Sequence, residues 1–557
     1  MTSVPLPRTT ASGAVRWVVF ALIAVCVLGL WFAKSTNRLL THPDEGRYAE
    51  IAREMAVSGD FVTPRLNGFK YFEKPPLQYW ATALAYRAFG VTEWTARLWT
   101  ALTGLFAVAA TWYAGRRLFN ARAGLFAALA LLASPYFVVM SSANSLDMGV
   151  SAFLSAAVFA YLLSRQVPPR AGRRTWMLWA WAFMALAVLS KGLIGVVLPL
   201  GALIGYTLLE RDLRAWRDLF WLQGIALFTV IAAPWFVLVA RANPEFLHFF
   251  FIHEHFQRFA STAHNRAGPM WYFLPVVLVA AVPWIPAMVE SVRTAWRAHP
   301  AKDAVSPPRF LFVWCAVVFV FFSVSGSKLP GYILPIVPAL ALLAGEALAR
   351  VDGLRASRWL TAGALFVGCL SFVGLEVLEE VDHGPLHPAY LHFAEWTEPG
   401  TFLLVMAGGI GAYWIGRVLA DRLIVSLLVA YYVAAAIGVT GYSVFAPGRS
   451  AHAFAGAILA AAPDVPVYAV RDYDQTLPVY LGRTVTLVDF VGEFELGIKA
   501  EPEQYVPTLA ALRERWDADA DAFAVVSRES AAALRQTGVA FDVVAEDPKR
   551  FLIRKRR

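Results

Sequence analysis

Apolar runs of membrane-spanning length recur along most of this chain, and no other feature limits its fold so tightly. A run of roughly 17 to 25 apolar residues suits an α-helical crossing of a bilayer, whose hydrocarbon core is about 30 Å thick. Such runs occupy 14–33, 98–115, 124–140, 146–163, 176–190, 192–209, 219–240, 270–289, 310–325, 332–349, 359–378, 401–416 and 423–445. They predict an all-α polytopic membrane protein with about thirteen transmembrane helices. Composition agrees, because 58% of the 557 residues are hydrophobic and only 16% charged, too little polar surface for a soluble chain of this size. The first run follows Arg8 and Arg16, but its flank Lys34-Ser35-Thr36-Asn37 lacks a small-x-small cleavage pattern, so it reads as a retained helix.

Loop charges test the count independently. Every second loop is short and basic: Arg116, Arg117 and Arg122; Arg165, Arg170, Arg173 and Arg174; Arg211, Arg214 and Arg217; Arg293, Arg297, Lys302 and Arg309; Arg350, Arg355 and Arg358; Arg417 and Arg422. By the positive-inside rule these loops are cytoplasmic, which puts the N-terminus inside and the C-terminal tail outside. The alternation depends on a tight turn at 190–192, since one long helix there would break it. The net charge of +9 therefore reports orientation in a bilayer rather than a nucleic-acid partner. Cys26, Cys315 and Cys369 all lie in apolar runs, where neither a disulfide framework nor a zinc cluster fits.

The transmembrane domain spans 1–445, and its outer loops carry the polar chemistry. The first, 34–97, contains Asp44 to Ser58, whose Tyr48, Ile51, Met55 and Ala56 fall on one side, as in an amphipathic helix lying on the membrane surface. The second, 241–269, is aromatic and rich in histidine, and suits rings placed among the headgroups. Beyond residue 445 the short apolar runs VPVYAV, LPVYLG, TVTLVD, AFAVVS and FDVVAE, with one helical stretch from Tyr505 to Trp516, predict a soluble α/β domain over 446–557. No glycine-rich phosphate loop opens a helix there, and no internal repeat of the secondary-transporter kind is present.

The candidate functional residues all fall on the outer face. Asp44 and Glu45 follow the first helix, and Asp147 sits at the outer end of the fourth. The two aspartates suit a general base and its orienting partner, although Thr41-His42-Pro43-Asp44-Glu45 also suits plain helix capping. Lys74, restrained by Pro75-Pro76, and Arg258 suit a dianionic phosphate. Each equally fits an ordinary interfacial cation. Lys191, Lys328 and Tyr332 lie on the same face, as do His264 and Arg266. Glu73 with His253, in a loop that also holds Glu254 and His255, suits zinc or another divalent ion, but interfacial histidines are the bland alternative.

The segment HPDEGRYAEIAREMAVSGDFVTPRLNGFKYFEKPPLQYW resembles the C-type glycosyltransferase superfamily, whose members use polyprenyl-phosphate sugars. With RYAEIAREM, FEKPPL, HEHFQRF followed by Pro269, Trp271 and Tyr272, and SKLPGYILP, the chain is most similar to the bacterial lipid A 4-amino-4-deoxy-L-arabinose transferases. The resemblance implies an inner-membrane pentosyltransferase acting at the periplasmic face. Its donor would be an undecaprenyl-phosphate-linked sugar and its acceptor lipid A, with the bilayer as solvent, a monomeric chain and no nucleic acid. Masking lipid A charge would favour resistance to polymyxin. It implies a catalytic role for Asp44 and carrier-phosphate contacts from Lys74 and Arg258, while Asp147 remains a catalytic candidate by its place on the same face. It places Tyr48, Tyr71 and Tyr332 near that phosphate or the carrier cavity, and leaves Glu73 with His253 as a metal site; Lys191, on the same face, is a further candidate for the donor phosphate. Transferases of mannose-like sugars or onto proteins share much of the pattern. A lipid flippase should instead show charge at mid-span, which is almost lacking here.

Overall fold

The computed structural model describes residues 25–36, 38–167, 172–257, 268–297, 305–381 and 383–556, with backbone alone at 253–257 and 385. Helix underlies each expected apolar run within them. Among the described residues, seven helices are long and apolar enough to cross a membrane. They range from Leu146–Gln166, enclosed by the bundle, to Gly353–Glu380, which turns most of its surface outward. Ala121–Leu132 and Ile194–Glu210 are apolar but shorter. The 190–192 turn is present: Gly192, at φ 83°, separates Arg173–Lys191 from Ile194–Glu210. A left-handed residue at that point suits glycine, which has no Cβ to clash. The run 124–140 is broken into Ala121–Leu132 and Pro135–Met140, with Ser134 capping the second piece and Pro135 in its first turn.

The outer loops are folded rather than draped on a surface. Helix Asp44–Ser58 forms where expected and closes at Gly59 in a left-handed cap. Its apolar side is buried, but so are Gly46, Glu50 and Arg53, on the face expected to meet water, where the C-terminal domain lies against Gly46 and Arg53, and Glu45, which Arg38 and Arg97 enclose. Gly46 makes that contact possible: a Cβ there would lie 2.6 Å from the backbone of Gln475 and Thr476. Loop 241–269 departs from expectation in the same way. Phe246 and Phe250 are fully buried, and Phe246 meets Phe72 edge-on at 5.3 Å, so these rings pack inside the protein instead of among headgroups.

The C-terminal domain is a six-stranded mixed sheet in the order Tyr505–Val506, Thr486–Val488, Val467–Val470, Phe523–Ser527, Arg550–Lys555, Phe541–Glu546. The first four strands pair in parallel and the last two antiparallel. Three expectations change here. LPVYLG forms the short helix Leu477–Leu481, the helix expected from Tyr505 starts at Leu509, and two further helices, His452–Ala461 and Arg528–Gln536, flank the sheet. The proline of LPVYLG sits in a first helical turn, the position where its missing N–H costs nothing.

Candidate functional site

Glu45 is the structural centre of the site. It is 4% exposed and gathers three separate pieces of chain. Arg97, from helix Glu93–Leu118, donates to it from Nε at 2.7 Å and Nη2 at 3.0 Å, Arg38 donates at 2.8 Å, and the Asn144 amide donates at 3.0 Å. Glu45 also accepts from the Thr41 amide and hydroxyl at 3.1 and 2.9 Å, so it is this residue that reaches back over the helix start. Burial alone would raise its pKa, but Arg38 and Arg97 bring it down to about 2.

Asp44 is thereby freed from capping. The N-cap position belongs to Pro43 and carries no side-chain cap, so the capping alternative is not met. Asp44 is 46% exposed and bonds Arg47 at 2.6 Å, one turn along the helix. Arg47 also pairs with Glu493 of the C-terminal domain, whose other oxygen accepts from Gln475 at 2.7 Å. Burial would lower Arg47, yet Tyr71, Glu493, Tyr48 and Asp44 hold its guanidinium well above its ordinary pKa. Arg47 is a fixed cation between two acids. Burial, with a smaller contribution from the Glu73 carboxylate, raises the Glu493 carboxyl against the opposing pull of Arg47 and Gln475.

Tyr48 and Tyr71 are buried, and the Tyr48 ring lies 6.1 Å from that of Tyr79. Burial raises the phenols of Tyr48 and Tyr71, helped by Asp44 for the first and by Glu73 for the second, so both stay neutral donors. The Tyr71 amide bonds the Pro64 carbonyl at 2.9 Å, and Phe72 is locked against Phe246, which fixes the entry to Glu73-Lys74-Pro75-Pro76. Lys74 Nζ donates to the Glu73 carbonyl at 2.8 Å and lies 3.9 Å from the Glu73 carboxylate. Pro76 then starts helix Leu77–Phe89.

Asp147 sits in the first turn of Leu146–Gln166 and pairs with Lys191 at the end of Arg173–Lys191. Lys191 Nζ also lies 4.6 Å from the centre of the Tyr332 ring, a cation–π distance. Gly331 has no room for a side chain, because a Cβ would stand 2.4 Å from Asp147 Oδ2. SKLPGY is thus pressed onto the aspartate, and Lys328 is turned away to the Ser325 carbonyl at 2.8 Å.

A cavity of about 670 Å³ has both Asp44 and Asp147 in its wall, together with Arg38, His42, Tyr442 and Arg449. The expected pairing of these two aspartates is therefore a shared cavity, each acid holding its own base. Arg258, His264 and Arg266 lie outside the described residues, as do the side chains of His253, Glu254 and His255. The Glu73–His253 metal site is in that position too. Among the described residues no group of three His, Cys, Asp or Glu side chains can hold a metal ion. Sequence reasoning missed Arg47, Arg38, Arg97 and Glu493. Arg47 was legible as the i+3 partner of Asp44. Glu493, on a turn far along the chain, gave no local signal.

Two families match the chain: Dolichyl-phosphate-mannose-protein mannosyltransferase over residues 16–250, and Aminoarabinose transferase C-terminal domain over 457–555. The undecaprenyl phosphate-alpha-4-amino-4-deoxy-L-arabinose arabinosyl transferase 1 of Sodalis glossinidius is 35% identical over 59% of this chain and 58% of its own length, less than two thirds of that relative. The corresponding transferase of Aeromonas salmonicida is 33% identical over 65% of this chain and 68% of its own. The crystal structure of ArnT from Cupriavidus metallidurans bound to undecaprenyl phosphate superposes with a TM-score of 0.90 at 36% identity, covering 98% of this chain and 99% of that one. An oligosaccharyltransferase from Archaeoglobus fulgidus shares the fold, with a TM-score of 0.52 at 13% identity.

Proposed function

Because this chain belongs to the undecaprenyl phosphate-aminoarabinose arabinosyl transferase family, we propose that it moves 4-amino-4-deoxy-L-arabinose from undecaprenyl phosphate to a phosphate of lipid A. It would do so at the periplasmic face of the inner membrane, masking anionic charge and favouring resistance to polymyxin and other cationic peptides. The observation that carries this reading is the cavity walled by Asp44 and Asp147, each already paired with a cation.

In the reaction an ionised oxygen of the acceptor phosphate bonds to the anomeric carbon. The bond from that carbon to the carrier phosphate breaks, and the carrier leaves with the electron pair. No proton has to be taken from an acceptor that is already anionic, so a general base is not required. Asp44 instead offers negative charge to the positive charge that grows on the sugar ring, and Arg47, fixed by Glu493, holds its carboxylate in place. Lys74, with Arg258, neutralises the departing carrier phosphate. Lys191, seated over the Tyr332 ring, holds Asp147, and Tyr48 and Tyr71 offer neutral hydroxyls. The carrier's long tail would stay among the helices, each buried methylene contributing about 0.8 kcal/mol.

The match to the protein mannosyltransferase family over 16–250 favours a second reading, transfer of a mannose-like sugar to a protein. Mass spectrometry of lipid A from cells with and without this protein decides between them. The expected result is an added aminoarabinose mass that depends on the gene, and unmodified lipid A in both strains would refute the reading.

A further inference from the structure

We propose that Arg449 and Arg38 form a second anion site, for the phosphate of the acceptor lipid, in the cavity wall behind Asp44. This rests on the transfer to lipid A proposed above and assigns the residues that receive the acceptor.

The charges of the cavity wall are almost all spoken for. Asp44 is paired with Arg47 and Asp147 with Lys191, while the single carboxylate of Glu45 serves both Arg38 and Arg97. That leaves one net positive charge around Glu45. Arg449 adds another: its guanidinium bonds the Tyr442 hydroxyl at 2.6 Å, and no carboxylate pairs with it among the described residues. Arg38 supplies the second sign of a missing ligand. Its Nη2 is held by Glu45 and by the Ser142 carbonyl, but its buried Nε has no partner among the described residues. A buried donor left unmade is costly, whereas a phosphate oxygen would satisfy it. Guanidinium groups are the side chains best matched to phosphate oxygens.

Position points the same way. The Arg449 carbonyl accepts from the His42 amide at 2.9 Å, which ties Arg449 to the segment leading directly into Asp44. Phe393, Ala435, Gly438 and Val439, from helices His387–Trp414 and Ala420–Gly441, form an apolar part of the same cavity where acyl chains can enter. Neither Lys74 nor Lys191 belongs to this wall, so the carrier's phosphate and the acceptor's phosphate have separate cations. Displacement at the anomeric carbon brings two phosphates toward one atom, and their repulsion needs a counter-charge on each side. The arginines serve the entering oxygen as Lys74 serves the leaving one.

The test is steady-state transfer by the full chain in nanodiscs, with acceptor and donor varied separately, for wild type, Arg449→Ala, Arg449→Lys and Lys74→Ala. Loss of a charge-assisted contact predicts an acceptor KM raised about ten- to hundredfold in Arg449→Ala, with partial rescue in Arg449→Lys and an unchanged donor KM. Lys74→Ala should show the reverse pattern. An unchanged acceptor KM in Arg449→Ala, or a rise in donor KM alone, overturns the assignment; the latter would give the anion site to the carrier. Native mass spectrometry of bound lipid A and its dephosphorylated form supplies a readout without turnover. Wild type should retain the phosphorylated form better, and Arg449→Ala should lose that preference; equal preference in both proteins overturns the proposal. If wild type transfers no sugar to lipid A, the transfer reading fails by itself, and this binding comparison still decides whether the anion site exists.

Discussion

Replacing Glu45 with glutamine tests whether this residue, rather than Asp44, holds the site together. The change keeps the shape but removes the charge shared by Arg38 and Arg97, and it turns an amide NH2 toward two guanidinium donors. The carboxyl sits at about 2 against an ordinary 4.5, a depression that linkage converts to roughly 3 kcal/mol of stability at neutral pH. Breaking a buried ion pair from one side costs about 3 to 5 kcal/mol, a loss of the same order. Because the folded-state value is depressed, the contribution is complete above about pH 4.5 and is lost as the pH falls toward 2. Thermal unfolding of the purified protein in detergent, followed from pH 7 to pH 2.5, should show Glu45→Gln markedly less stable at pH 7. The gap to wild type should close through the acid range. An equal midpoint at pH 7, or a gap that stays constant as the pH falls, would refute the reasoning.

Three further outcomes are expected. Asp44→Asn should lower sugar transfer about a hundredfold or more while leaving the melting midpoint unchanged, because Pro43 holds the N-cap; near-normal turnover would make Asp147 the leading acid. Gly331→Ala should drive the Asp147 carboxylate out of its place and cut turnover about a hundredfold with normal protein level in the membrane, and full activity would show that the Asp147–Lys191 pair tolerates movement. An alkaline phosphatase fused after the last residue should be active if the C-terminal domain is periplasmic; an inactive fusion beside a fluorescent cytoplasmic reporter at the same point would reverse the proposed orientation.

Much of the bundle was legible because its driving term is local. A membrane-length apolar run announces a helix whatever its neighbours do, and even the turn at Gly192 could be placed from the rhythm of the arginine loops. The surface helix was legible through its stripe of Tyr48, Ile51 and Met55. What lay hidden was everything decided by a partner distant in sequence. Glu50 and Arg53 read as a solvated face, yet they are buried, because Gly46 admits the backbone of the C-terminal domain. Phe246 and Phe250 read as interfacial rings until Phe72 and Trp235 are seen to enclose them. Asp44, Asp147 and Lys191 could be placed on one face, but the pairing of Asp147 with Lys191 and of Arg47 with Glu493 follows from three-dimensional proximity.

The seat of Arg47 between Asp44 and Glu493 makes one guanidinium a rivet between two distant parts of the chain. Its first carboxylate stands one turn earlier on the same helix, and its second belongs to the C-terminal domain. Gly46 lets that domain approach the helix closely, and Gln475 holds the second carboxylate from the other side. Displacing the domain would therefore leave the helix that carries Asp44 with its polar flank wet and its arginine held from one side.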